Sequence, residues 1–203
     1  ILVTGFMLAS SPPVKRLLQR LAGLARHAGH AILLVTFVSL VASWINWGFG
    51  LVVGALFAKE LARMVRVDYR LLVASAYSGF VVWHGGLAGS IPLTIATEGH
   101  FTAEQIGVIG TGSTIFAFFN LAIVVCLFIA IPLVNRAMLP DDKESVYIDP
   151  KLLDESPASR VRITRPAERL ENSVTLAWLV GIPGVIFLLD HFALRGGGLN
   201  LNI

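Results

Sequence analysis

Ala31 to Ala58 reads AILLVTFVSLVASWINWGFGLVVGALFA, 28 residues without a formal charge. Both of its flanks are basic. Residues 11–30 hold Lys15, Arg16, Arg20 and Arg26 and no acid, and residues 59–70 hold Lys59, Arg63, Arg66 and Arg70 against Glu60 and Asp68. One spanning helix would put these flanks on opposite sides of a membrane, which the positive-inside bias disfavours. A re-entrant helical hairpin puts both on the cytoplasmic side. The middle of the run, Ser43-Trp44-Ile45-Asn46-Trp47-Gly48-Phe49-Gly50, holds the helix breakers and the polar side chain a hairpin tip needs. Arms of ~12–14 residues suffice to reach halfway through a bilayer. Non-helical backbone survives at that depth only if buried in protein or lining a cavity, so the tip is also a candidate site.

The rest of the chain agrees with a membrane setting. Leu71–Thr97 is 27 residues with one histidine and no formal charge, Ile106–Asn135 is 30 residues and Ser173–Leu189 is 17, both uncharged. A hydrocarbon core of ~30 Å needs ~20 apolar residues in a helix, and four such stretches in 203 residues do not pack as soluble core helices. Apolar residues make up 55% of the chain and charged residues 14%, where soluble domains carry about 25% charged. The expected fold class is an all-α integral membrane protein. It is a multi-span helical bundle with a re-entrant helical hairpin and a discontinuous membrane helix.

Upstream, Ser10-Ser11-Pro12 offers an N-cap followed by proline near the first helical position. Val14, Leu17, Leu18, Leu21, Leu24 and Ala25 then repeat at helical spacing, with Lys15, Arg16, Gln19, Arg20 and Arg26 on the other face. This predicts a basic interfacial helix over 12–28. The basic pI of 9.4 follows from such membrane flanks and does not call for nucleic acid. Downstream, Trp83-His84-Gly85-Gly86-Leu87-Ala88-Gly89-Ser90-Ile91-Pro92 interrupts any continuous helix, so 71–97 is read as a broken membrane helix. Glu98–Gln105 suits an outer connector. Within 106–135, Thr111–Thr114 marks an irregular start and Phe116–Val134 the span proper.

Residues 1–135 are therefore expected to form a first membrane repeat, 136–172 a polar cytoplasmic linker, and 173–203 the start of a second membrane half. The chain begins and stops inside apolar runs, so an internal fragment is expected. Cys126, the one cysteine, sits in an apolar run and reads as a small hydrophobe.

Two interrupted membrane segments in succession point to a secondary transporter's binding site. Each frees backbone N–H and C=O groups, and half-helix N-termini favour carboxylates. The candidate substrate- or ion-binding residues are Ser43, Asn46, Gly48 and Gly50 at the tip, and His84, Gly85, Gly86, Gly89 and Ser90 in the broken helix. Ser78 and Thr94 add polarity nearby. No catalytic residue is expected. His84 alone is ionisable within a span, too little for a membrane enzyme, although broken helices also fit a channel. No resident cofactor is expected, only a coupling Na⁺ or H⁺.

The stretch VTFVSLVASWINWGFGLVVGALFAKE (35–60) resembles the bacterial short-chain fatty acid transporter family, as do Ala9–Lys15, YSGFVVWHGGLAGSIPL (77–93) and VYIDPKLL (146–153). The resemblance covers nearly the whole chain. It implies a multi-pass inner-membrane location and uptake of short monocarboxylates such as acetoacetate and butyrate. It also implies that a second half is absent, because members are about twice this length, and that the chain is one repeat of an inverted-repeat transporter. Expected partners are the fatty acid anion, membrane lipid and a second copy in a homo-oligomer.

Overall fold

The computed structural model of the chain describes residues 2–153, 170 and 173–200. All regular elements among them are helical. The chain divides into two units, Ile1–Leu153 with Leu199–Ile203, and Asp154–Gly198.

The first unit opens with α1 (Leu2–Ala9) and α2 (Pro12–Ala22). Ser11 is the N-cap of α2 through its extended backbone, with prolines in the first turn. The helix read as interfacial is shorter than the expected 12–28. It ends at Gly23, a poor helix former, and His27 turns extended to start the next helix. The stripe holds in part: Leu18 and Ala22 are buried, with Val14, Leu21 and Ala25 packed on the core, while Leu17 and Leu24 stay exposed.

Next come α3 (Ala28–Ile45) and α4 (Trp47–Met64), separated only by Asn46 in extended backbone. They fold into an antiparallel hairpin, with Gly50 against Ser43 and Gly54 against Ser39. Each arm is 18 residues, about 27 Å long. Both outrun the expected 12–14 residues: α4 continues past its uncharged part through Lys59, Glu60 and Arg63, and α3 already starts at Ala28 and winds unbroken to Ile45.

The polypeptide then enters α5 (Tyr69–Ser78), capped by Asp68, whose carboxylate accepts from Leu71 N at 2.8 Å. From Gly79 to Gly85 the winding tightens to a 3₁₀-helix, followed by the short α6 (Ser90–Ile95), so the membrane helix is discontinuous where the glycines predict. This segment runs parallel to α3, with Ser39 Oγ donating to Ala76 O and Gly79 against Leu40. After α7 (Ala103–Ile106) and a 3₁₀ turn at Thr111–Ser113, α8 (Phe118–Ala137) returns antiparallel to α3. Asn120 lies beside Gly85, and Arg136 beside Gly29. The 3₁₀ turn falls within the irregular start expected at 111–114, and α8 begins two residues and ends three residues beyond the expected 116–134. The N-terminus of α3, the C-terminus of α4 and the C-terminus of α8 therefore share one end.

In the second unit, Ser173 caps α9 (Val174–Leu189) by accepting from Leu176 N at 3.2 Å, and Pro183 lies inside the helix. A π-turn at Asp190–Leu194 follows, with Arg195 on Asp190 at 2.6 Å. Of the expected linker, residues 154–169 and 171–172 lie outside the described residues, as do 201–203 of the expected next helix. Among the described residues four stretches are long and apolar enough to cross a membrane: Ala28–Ile45, Tyr69–Ile95, Phe118–Ala137 and Val174–Leu194.

Candidate functional site

The hairpin tip and the broken helix meet. Trp44 O accepts from Leu87 N at 2.8 Å, and a methyl on the buried Gly86 would stand 2.9 Å from the Trp44 Cα. Glycine at 86 is what lets the two backbones touch. Around this contact Trp47 lies 5.6 Å from Trp83 and 6.4 Å from Phe80, and Phe80 lies 4.9 Å from Trp83. Trp47 and Trp83 thus pack around the tip.

The candidate residues divide between two surroundings. Asn46 is half-buried and works as the α4 N-cap, its Oδ1 accepting from Phe49 N at 3.1 Å. It also lines a cavity of about 290 Å³ with Thr4, Gly5, Leu8, Ile45 and Phe49. Gly48 is buried where the tip passes Gly5 of α1. Ser43 is 1% exposed and its Oγ has no hydrogen-bond partner, because the side chain lies against Gly50. On the broken helix, Gly85 O accepts from Asn120 Nδ2 at 3.0 Å. Gly89 is buried and donates to Gly86 O at 3.0 Å, making the turn before Ser90. Ser90 is exposed at the first position of α6, where its carbonyl accepts from Thr94 Oγ1 at 2.7 Å. His84 is exposed and stacks on Trp83 at 4.1 Å. Ser43, Asn46, Gly48, Gly50 and Gly86 thus cluster at the tip, while His84 and Ser90 face outward.

Sequence reasoning missed two asparagines of α8. Asn120 Nδ2 donates both to Gly85 O and to Ile115 O at 2.7 Å, so one amide satisfies a carbonyl on the broken helix and another on its own helix entry. Asn135 is 9% exposed and donates to Thr36 Oγ1 at 3.1 Å and Ser78 Oγ at 2.8 Å. Thr36 passes on to Ile32 O and Ser78 to Ser75 O, both at 2.8 Å. This clasp joins α3, α5 and α8 at the point where α5 turns into 3₁₀. The available signal was an amide at each end of the apolar stretch 121–134. Amides in hydrocarbon also need hydrogen-bond partners, though less stringently than charges do.

Ser39 shows how the apolar-looking α3 makes room for these contacts. Thr36, Ser39 and Ser43 fall on one face, all buried, opposite Gly50 and Gly54 of α4 and Gly79 of the broken helix. Small residues let helices approach where lipid gives no hydrophobic drive to associate.

A family model described as short chain fatty acid transporter matches residues 1–203. A protein of Escherichia coli (strain K12), provisionally named a short-chain fatty acid transporter, is 45% identical over 206 residues, covering 100% of this chain and 47% of the relative. A protein of Haemophilus influenzae with the same provisional name is 39% identical over 213 residues, covering 100% of this chain and 48% of the relative. The chain spans about half the length of these curated relatives. No solved structure matches it.

Proposed function

This chain belongs to the short-chain fatty acid transporter family and is a multi-pass bacterial membrane protein, and we propose that it supplies one half of a secondary carrier. The carrier moves short-chain fatty acid anions such as acetoacetate and butyrate across the inner membrane, coupled to H⁺ or Na⁺. Residues 1–135 form the first repeat, 136–172 the cytoplasmic linker and 173–203 the start of the second half. The α3–α4 hairpin is re-entrant, with its open end cytoplasmic.

The observation that carries this reading is the meeting of the two helix interruptions at Trp44 and Gly86. A carrier needs polar backbone at mid-membrane that a small ion can reach, and helix breaks are how such backbone is made available. The N-terminal end of α4 at the tip gives partial positive charge for a carboxylate. Asn46 holds that end in shape, and Ser90 adds a hydroxyl at the start of α6. Among the described residues no three His, Cys, Asp or Glu stand together, so a coupling Na⁺ would rely on carbonyl, hydroxyl and amide oxygens. Gly85, Gly86 and Gly89 interrupt the helix, and the carbonyls of Gly85 and Gly86, each holding one hydrogen bond, keep a second lone pair for it. His84 is the one titratable side chain of the break and is the group to carry a coupling proton.

Uptake of labelled butyrate and acetoacetate into vesicles containing the full-length protein tests the reading. Imposing pH and Na⁺ gradients separately should give concentrative uptake with one of them. Equilibration without concentration under either gradient would indicate a channel and overturn the carrier.

A further inference from the structure

The shared end of α3, α4 and α8 carries a structured strap. Residues 141–153 fold back over the α4–α5 turn. Val146 is held from both sides: its N donates to Asp68 Oδ2 at 2.7 Å, and its O accepts from Tyr69 N at 2.8 Å. Glu144 O accepts from Arg70 at 2.8 Å, and Leu153 O accepts from Arg63. Between strap and turn lies a cleft of about 340 Å³, lined by Ala62–Val67 with Tyr147, Ile148 and Pro150.

Two guanidinium groups line this cleft, Arg63 and Arg66, with Arg70 on the adjoining turn, and they are not equivalent. Arg63 pairs with Glu60 at 2.8 Å and Arg70 with Asp68 at 3.0 Å. Arg66 is exposed and has no carboxylate among the described residues. Its guanidinium sits 4.2 Å over the ring of Tyr147. A guanidinium engaged through its face keeps its edge N–H groups for an acceptor, and that fork fits a phosphate bidentately. Tyr147 is itself fixed, its hydroxyl donating to Asp142 at 2.8 Å. Met64, half-exposed, flanks the cleft with an apolar surface.

We propose that the Arg66–Tyr147 cleft binds one phosphate anion, that of an anionic phospholipid headgroup. The lipid assignment rests on the proposed orientation, which puts this end at the cytoplasmic interface, where basic pockets meet anionic headgroups. Charge and shape support it. One preorganised, unneutralised cation faces a cleft of headgroup size, with an apolar flank beside it for the first methylenes of an acyl chain.

The test uses full-length protein purified from membranes containing phosphatidylglycerol and phosphatidylethanolamine, with retained lipid counted by native mass spectrometry. Wild type should retain one phosphatidylglycerol in preference to phosphatidylethanolamine. Arg66→Gln should lower the retained fraction about tenfold or more. Tyr147→Leu should lower it roughly two- to fivefold. Arg66→Lys keeps the topogenic charge, so it inserts even if Arg66→Gln does not, and it should still lose about threefold for want of the fork. Arg16→Gln, an equal loss of charge on α2, should change nothing. Inorganic phosphate, titrated in detergent and followed by ³¹P NMR, separates the sources: weak or absent binding supports the lipid, and binding as tight as the lipid's reassigns the cleft to the free anion. Wild-type retention in both Arg66→Lys and Tyr147→Leu overturns the proposal. The readout needs no uptake, so a failure of the carrier reading leaves this result standing, and the reverse holds too.

Discussion

Asn46 shows two demands meeting in one side chain. Its carbonyl oxygen caps α4, which any short acceptor could do, while its amide N–H₂ is the part a ligand would use. Substitution separates them. Asn46→Ala should cost about 1 kcal/mol of stability from the lost cap. It should also raise the half-saturating substrate concentration roughly 10- to 100-fold, the effect of about 1.5–3 kcal/mol lost to a charged group. Asn46→Ser restores the cap, so its melting temperature should return to wild type while the affinity stays weak. Affinity that returns with the cap would assign Asn46 to capping alone. Ser90 makes no capping bond and is exposed, so Ser90→Ala should leave the melting temperature unchanged and weaken affinity within the same range.

At the level of elements, close packing outweighs the polar clasp. Interhelical hydrogen bonds in membranes average about 0.6 kcal/mol, so the two made by Asn135 amount to roughly 1 kcal/mol. Overpacking costs about 1–3 kcal/mol, and a methyl on Gly50 would stand 2.5 Å from the Ser43 Cα, a backbone atom that cannot swing away. Gly50→Ala should therefore lower the melting temperature in detergent more than Asn135→Ala does. Gly181→Ala, with nothing within 4 Å, should leave it unchanged or raise it through helix propensity. Equal losses at Gly50 and Asn135 would mean that the polar clasp matters as much to the bundle as backbone approach does.

The strap answers to pH. Burial pushes the Asp68 carboxyl up, but the bonds from Val146 and Leu71 and the Arg70 guanidinium outweigh it and hold it below the ordinary carboxylate value. A group with a depressed folded-state value contributes fully above its unfolded value. That contribution is lost as pH falls below about 3.9 and through the folded value. Hydrogen exchange of residues 141–153, corrected for intrinsic rates, should show protection at neutral pH that fades in this acid window. Asp68→Asn should lose protection at neutral pH and flatten the acid dependence. If it keeps wild-type protection, the strap is held by Arg63, Arg70 and the Tyr69–Val146 backbone bond instead.

Across the whole molecule, local breaks were legible and distant pairings were not. The turn at Asn46, the interruption around Gly85–Gly89 and the irregular start at Thr111 all lie in short runs of breakers and polar side chains. The Asn135–Thr36–Ser78 clasp and the Val146–Asp68 bond join residues far apart in sequence, and nothing local to Asn135 or Val146 names the partner. The same limit hid the serine–glycine face of α3, since serine among apolar residues reads as one more small side chain. Of the candidate site, the tip and the break were found separately. Their contact through Trp44 and Gly86 is a tertiary fact, and it is what turns two interruptions into one locus.

The central claim is that the hairpin enters and leaves the membrane on one side. Single cysteines at Gln19, Met64 and Glu104, in a Cys126→Ala background, test it without removing a Lys or Arg that sets orientation. A membrane-impermeant maleimide applied to inside-out and right-side-out vesicles should label positions 19 and 64 from the cytoplasmic face and position 104 from the opposite face. Labelling of 19 and 64 from opposite faces would make α3 or α4 a full crossing and contradict the account.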